Sequence, residues 1–117
     1  MDRPREFLDW AVKMFGPIAM DDQERMARFV EEAVELAHAG FMPAEKLQAI
    51  IQRVYSRPAG TIRKEVGQAQ ATLECYAECM GLSADEEAAR EWERVQSIPP
   101  EEWQRRHAAK VALGIAG

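Results

Sequence analysis

The chain has 117 residues, of which 47% are hydrophobic, and its formal net charge at pH 7 is −5. This length fits one domain with one modest core, and the acidic balance argues against a general surface for nucleic acid or for an anionic membrane. The first residues lack the apolar run of a signal peptide, and no stretch approaches the length of a membrane span, so we expect a cytoplasmic protein.

Helix-forming residues dominate the chain, and glycines and prolines divide it into six predicted helices. These run from 4 to 15, from just after Asp21 and Asp22 to about 40, from 43 to about 55, from 61 to 80, from 83 to the proline pair at 99–100, and from about 101 to 112. The two aspartates are good N-cap residues, and Ser83 with Glu86 forms a capping box. No alternating strand pattern interrupts the helices.

Two of the predicted helices carry a broad apolar stripe at helical spacing. The stripe of the second helix contains Met26, Phe29, Val30, Ala33, Leu36 and Ala37, and that of the fourth contains Ile62, Val66, Ala69, Leu73, Tyr76 and Met80. We expect an all-α fold with a four-helix-bundle core, built from the first, second, fourth and fifth helices, with the short third helix and the sixth at its periphery. Residues 1–117 form one predicted domain, with an N-terminal helix and loop at 1–20, motif-bearing helices at 21–97 and a C-terminal helix and tail at 98–117.

Glutamates crowd one part of the second helix. Glu31, Glu32 and Glu35 lie there, and Glu65 lies at the margin of the apolar stripe of the fourth helix. Glu32 and Glu35 are one turn apart, so their carboxylates can point the same way. Such a run is most often a solvated face, with Arg25 and Arg28 as partners for Glu32. A divalent cation is the other way to offset the charge, and Mg²⁺ prefers carboxylates, waters and phosphate oxygens.

The stretch Arg28-Phe-Val-Glu-Glu-Ala-Val-Glu-Leu-Ala37 resembles the first motif of the MazG-like all-α nucleoside triphosphate pyrophosphohydrolases. That family carries E-E-x-x-E, followed by E-x-x-D on a later helix. The later region, with its S-R-P-x-G, E-V-G and T-L elements, is similar to a phage and bacterial subgroup. Two departures stand out: the second motif reads Glu65-x-x-Gln68, and the whole third helix separates the motifs. The resemblance covers residues 25 to 111.

The resemblance implies hydrolysis of a ribo- or deoxyribonucleoside triphosphate to the monophosphate and pyrophosphate, as nucleotide-pool housekeeping. It implies Mg²⁺ as the cofactor, with Mn²⁺ as a substitute. Glu32, Glu35 and Glu65 are the expected metal ligands, with Gln68 in an outer position because an amide oxygen adds no charge. Glu31 is the expected base or water-orienting group. Relatives assemble as dimers or tetramers, and we expect a homodimer.

A triphosphate also requires cations. Lys64, Arg94 and Lys110 are the predicted substrate-binding residues, although each taken singly is more often a solvated surface side chain. Among the aromatic residues, Trp10, Phe15 and Trp92 can stack on a base, but buried anchors are the commoner use of such residues.

Other features give weaker signals. Cys75 and Cys79 are expected to be reduced, partly buried thiols rather than metal ligands or a redox pair. No P-loop motif is present, and the candidate recognition segments for DNA carry as many acids as bases.

Two readings without catalysis stay open. A catalytically degenerate helical oligomer that binds a nucleotide or a protein partner would look much the same, and Gln68 favours it. A plain structural four-helix dimer with a solvated glutamate face is the third reading.

Overall fold

The computed structural model describes residues 2–117 and contains no strand in that range. Its helices are α1 (Arg3–Phe15), α2 (Asp22–Ala39), α3 (Ala44–Tyr55), α4 (Ile62–Cys79), α5 (Ala84–Ser97) and α6 (Pro100–Ala112), with a short 3₁₀ helix at Pro17–Met20 between α1 and α2. The all-α prediction is confirmed. Each predicted helix is present with its ends displaced by only one or two residues, while the 3₁₀ helix was not predicted.

Short polar side chains explain where three of the helices begin. Oxygens of Asp21, Thr61 and Ser83 accept hydrogen bonds from the backbone N–H three residues further on, at 3.0, 3.4 and 3.2 Å. Each bond satisfies one of the N–H groups that has no partner within the helix. The helix starts inferred from the sequence therefore have a local physical cause.

The end of α2 has an unusual backbone. Phe41 adopts φ +65°, while the N–H of Met42 donates to the carbonyl of Ala37 at 3.0 Å. Glycine normally occupies this left-handed position, because a Cβ there costs about 1–2 kcal/mol. The Phe41 side chain is 92% exposed. A bulky residue thus occupies a strained position without burying its ring.

Contacts divide the chain into two compact units. Unit 1 comprises the residues up to Val34 together with Ala89–Gly117, and unit 2 comprises Glu35–Ala88. The division falls within α2 and within α5. The prediction of a single domain over 1–117 stays a prediction.

Unit 1 is organised around an aromatic cluster. The ring of Trp10 makes edge contacts with those of Phe7, Phe15, Trp92 and Trp103, with centroids 5.3 to 6.4 Å apart. The indole N–H of Trp103 donates to a backbone carbonyl of α5 at 3.1 Å. Edge-to-face packing is a favourable aromatic geometry. Trp10, Phe15 and Trp92 are therefore engaged with one another as structural anchors.

Unit 2 leaves most of its apolar side chains uncovered. Ala77 is its only buried hydrophobic residue among those the structure describes. The large members of the α4 stripe are between 38% and 79% exposed, and those of the α2 stripe are also exposed. The stripes form helix faces as predicted, but the expectation that they are buried is wrong for the single chain, since their large members are exposed.

The two cysteines of α4 are more accessible than the sequence predicted. Cys75 and Cys79 are free and exposed, so the predicted partial burial is wrong.

Of the helices formed by residues 2–117, none combines the length and the apolar character that a bilayer crossing requires.

Candidate functional site

Glu31, the predicted base, is held by two cations in unit 1. Its Oε1 atom lies 2.8 Å from the Lys110 ammonium and 3.3 Å from the Arg28 guanidinium. Lys110, a predicted phosphate ligand, is therefore already paired with a carboxylate. The sequence proposed separate roles for Glu31 and Lys110, and the structure brings the two together.

The same ion-pair network continues to a buried carboxylate. Glu24 is 6% exposed, and its Oε1 lies 3.3 Å from Nε of Arg28. Its Oε2 accepts a hydrogen bond from the N–H of Gly117 at 2.7 Å, and Arg28 also donates to the carbonyl of Ile115. The sequence pointed to Glu32 as a partner of Arg28, and the structure shows Glu24 and Glu31 as partners of that guanidinium. Nothing in the sequence singled out Glu24, because an acid in a first helical turn is ordinary.

Arg94 is also engaged within unit 1. Its guanidinium donates two hydrogen bonds to Glu91, both at 2.8 Å. This pairing raises the pKa of Arg94, with a smaller contribution from the charge of Glu32, and it lowers the pKa of the Glu91 carboxyl. Glu32 and Arg94 are thus electrostatic neighbours, although the direct partner of Arg94 is Glu91.

The remaining predicted site residues belong to unit 2 and lie on the surface. Glu35 is in the last turns of α2, while Lys64, Glu65 and Gln68 are in the first turns of α4. Throughout residues 2–117, no hydrogen bond or ion pair engages the side chain of any of these four. They are therefore free to meet an external ligand, in contrast to Glu31, Arg94 and Lys110.

The Glu65 carboxylate lies against the backbone of Gly60, in the loop before α4. A methyl group added at position 60 would overlap Oε2 of Glu65. The overlap involves the flexible end of the exposed Glu65 side chain, which can turn aside, so glycine is not required at this position. The contact shows that the loop before α4 lies next to a motif carboxylate.

Several motif side chains carry oxygen atoms of the kind that Mg²⁺ prefers, although the described part of the chain does not group them around one point. In the part of the chain that the structure describes, no three Asp, Glu, His or Cys side chains are grouped closely enough to hold a metal ion. Mg²⁺ is usually held by one or two carboxylates, with waters and substrate phosphates completing its shell. The carboxylates of Glu35 and Glu65 and the amide of Gln68 are oxygen donors of the required kind.

An open groove of about 450 Å³ lies elsewhere, between α1 and α6 in unit 1. Its lining residues are Met14, Phe15, Gln104, His107, Ala108 and Val111. None of the predicted site residues lines this groove. The Nε2 atom of His107 is 2.9 Å from the carbonyl of Gly117. The imidazole, one of the few polar groups that line the groove, therefore already has a hydrogen-bond partner.

Comparison of the chain with protein-family models, with curated proteins and with solved structures finds no match. The functional argument consequently depends on the residues themselves. The strongest pattern is the pair of glutamate motifs on α2 and α4, together with the free side chains that these motifs place on unit 2.

Proposed function

We propose that this chain is a Mg²⁺-dependent pyrophosphohydrolase that converts a nucleoside triphosphate to its monophosphate and pyrophosphate. The observation that carries the proposal is that Glu35 and Glu65, one from each motif, are exposed and unpaired on two helices of unit 2. A carboxylate that no internal cation neutralises can accept an external one. The similarity of both motifs to the MazG-like pattern supports the same function.

The residue roles follow from this arrangement. Glu35 and Glu65 are the proposed metal ligands in unit 2, and the neutral amide of Gln68 orients a water in the outer shell. Bound Mg²⁺ would neutralise phosphate oxygens and activate water for attack on phosphorus. The assignment of Glu32 as a further ligand remains a prediction from the resemblance.

The ion pair between Glu31 and Lys110 changes the role proposed for the lysine. Its ammonium, 2.8 Å from the carboxylate, fixes the position of Glu31. We therefore assign Lys110 a positioning role instead of a phosphate-binding one. The assignment of Glu31 as the water-orienting group remains a prediction from the resemblance, and within unit 1 Lys110 and Arg28 keep its carboxylate in one place.

Assembly as a homodimer is part of the proposal. The large apolar residues of the α4 stripe are exposed in the single chain, and a second copy of the chain would cover them with a face of the same composition. Obligate homodimers use such apolar faces and bury about 2,000–5,000 Å² in total. The predicted four-helix core would then be completed by helix faces from two copies.

The metal site is tested by the thermal stability of the protein with Mg²⁺ and an α,β-methylene nucleoside triphosphate, which cannot be cleaved at that bond. A ligand at ten times its Kd adds about 1.4 kcal/mol to the free energy of unfolding, which raises Tm by about 4–8 °C. We expect Glu35→Gln and Glu65→Gln to abolish the Mg²⁺-dependent part of the shift. Glu78→Gln, which removes an exposed carboxylate elsewhere on α4, should keep it. Equal shifts in all four proteins would contradict the assignment.

A second function is favoured by Gln68. Replacement of the family aspartate by an amide removes one negative charge from the metal site, which suits a protein that binds a nucleotide without hydrolysing it. Such a protein would show the same thermal shift but release no pyrophosphate. Restoring the acid in Gln68→Asp would then create activity that the natural chain lacks.

A further inference from the structure

Two of the three cations expected to bind phosphate are already neutralised. Lys110 is paired with Glu31 and Arg94 with Glu91, both at 2.8 Å. The carboxylate at each of them balances the positive charge that would otherwise attract an anionic ligand. Lys64 has no such partner, which directs attention to its surroundings in unit 2.

Charge is sharply segregated along unit 2. Residues 46–64 contain five basic residues and no acid, whereas residues 65–88 contain six acids and no base. The basic residues are Lys46, Arg53, Arg57, Arg63 and Lys64, and all five are exposed. In the described part of the chain, no hydrogen bond or ion pair engages any of these five side chains. Their positive charge is therefore available to an external anion.

The boundary between the two charge blocks lies at the proposed metal ligand. Lys64 precedes Glu65 directly, and Gln68 is four residues after Lys64, so the three side chains share one side of α4. Arg63 is turned roughly 140° around the helix from Gln68, given about 100° per residue. Of the two adjacent cations, only Lys64 thus lies on the side of the motif residues.

The loop before α4 brings a second cation near this side. The N–H of Arg57 donates to the carbonyl of Val54 at 3.2 Å, which places Arg57 directly after the last turn of α3. Three residues later, Gly60 lies against the Glu65 carboxylate. Because so few residues separate Arg57 from this contact, its long side chain can reach the same side of the α4 start.

We propose that Arg57 and Lys64 bind the polyphosphate chain of a nucleotide whose metal ion is held by Glu65. A metal-bound polyphosphate presents a cation and several anionic oxygens side by side. The α4 start offers the complementary groups, because Lys64 precedes Glu65 in the chain and Arg57 lies three residues before the glycine that contacts Glu65, at the helix end whose dipole also favours anions. The proposal deepens the proposed function, on which it rests, by naming the groups that recognise the substrate.

Calorimetric titration with inorganic tripolyphosphate and Mg²⁺ tests this assignment without requiring hydrolysis. We expect Lys64→Gln and Arg57→Gln each to weaken binding by about tenfold or more, as the loss of a charge-assisted hydrogen bond implies. Arg63→Gln removes the same charge from the other side of the same helical turn, and it should change Kd by less than about twofold. Circular dichroism would verify that all variants remain helical.

Three results would overturn the proposal. An equal loss from all three substitutions would indicate diffuse attraction rather than a site. Absence of tripolyphosphate binding to the natural protein would remove the site altogether, and tighter binding of single-stranded DNA would assign the patch to nucleic acid. Tripolyphosphate binding with the expected pattern, in a protein that releases no pyrophosphate, would refute the hydrolase and leave this site standing.

Discussion

Phe41 combines two unfavourable features at one position. Its φ of +65° lies in the left-handed region that disfavours side chains with a Cβ, and its ring is 92% exposed. Neither feature contributes to the stability of the single chain. We expect the exposed ring to make a contact in a homodimer, which would offset this cost.

Two substitutions of Phe41 distinguish the effect of backbone strain on stability from the effect of packing of the ring. In protein dilute enough to be monomeric, we expect Phe41→Gly to raise the free energy of unfolding by about 1 kcal/mol, because glycine relieves the left-handed strain. Phe41→Ala removes the ring but keeps the strain, so its free energy of unfolding should stay close to that of the natural protein. Urea denaturation measures both. A loss of stability in both variants would show that the ring packs within the chain.

At the scale of helices, the sequence predicts boundaries well because their causes are local. Thr61 and Ser83 are adjacent to the helices they cap, and glycine or proline residues flank most of the helix ends. The 3₁₀ helix at Pro17–Met20 escaped prediction because one short turn has no periodicity to detect.

Partners across helices could not be predicted in the same way. Lys110 and Glu31 are 79 residues apart in sequence, yet their side chains meet at 2.8 Å. Helical periodicity says which face a residue occupies but not which other helix approaches that face. The sequence named both residues as site candidates, while their mutual neutralisation became visible only in the fold.

At the scale of the whole molecule, the exposed stripes point to association. Val66, in the middle of the α4 stripe, is 63% exposed. Periodicity placed these apolar residues on common faces, but one chain's sequence does not state what covers them. A second copy of the chain provides matching faces of the same composition.

Sedimentation velocity tests this association directly. We expect the natural protein to sediment as a homodimer at micromolar concentration, and Val66→Asp to shift it to monomer, because a buried unpaired charge opposes the interface. Ala71→Asp adds the same charge on another side of α4 and should leave the dimer intact. A monomeric natural protein, or equal effects of the two substitutions, would contradict an interface at this stripe.

The most direct test of the proposed function is the release of pyrophosphate from a panel of ribo- and deoxyribonucleoside triphosphates with Mg²⁺. We predict metal-dependent release of pyrophosphate and monophosphate by the natural protein, its loss in Glu35→Gln, and its retention in Glu45→Gln, which removes an exposed carboxylate from α3. Release by Gln68→Asp alone would identify the natural chain as a binding protein. No release by any of these proteins, with helical structure intact, would contradict the account.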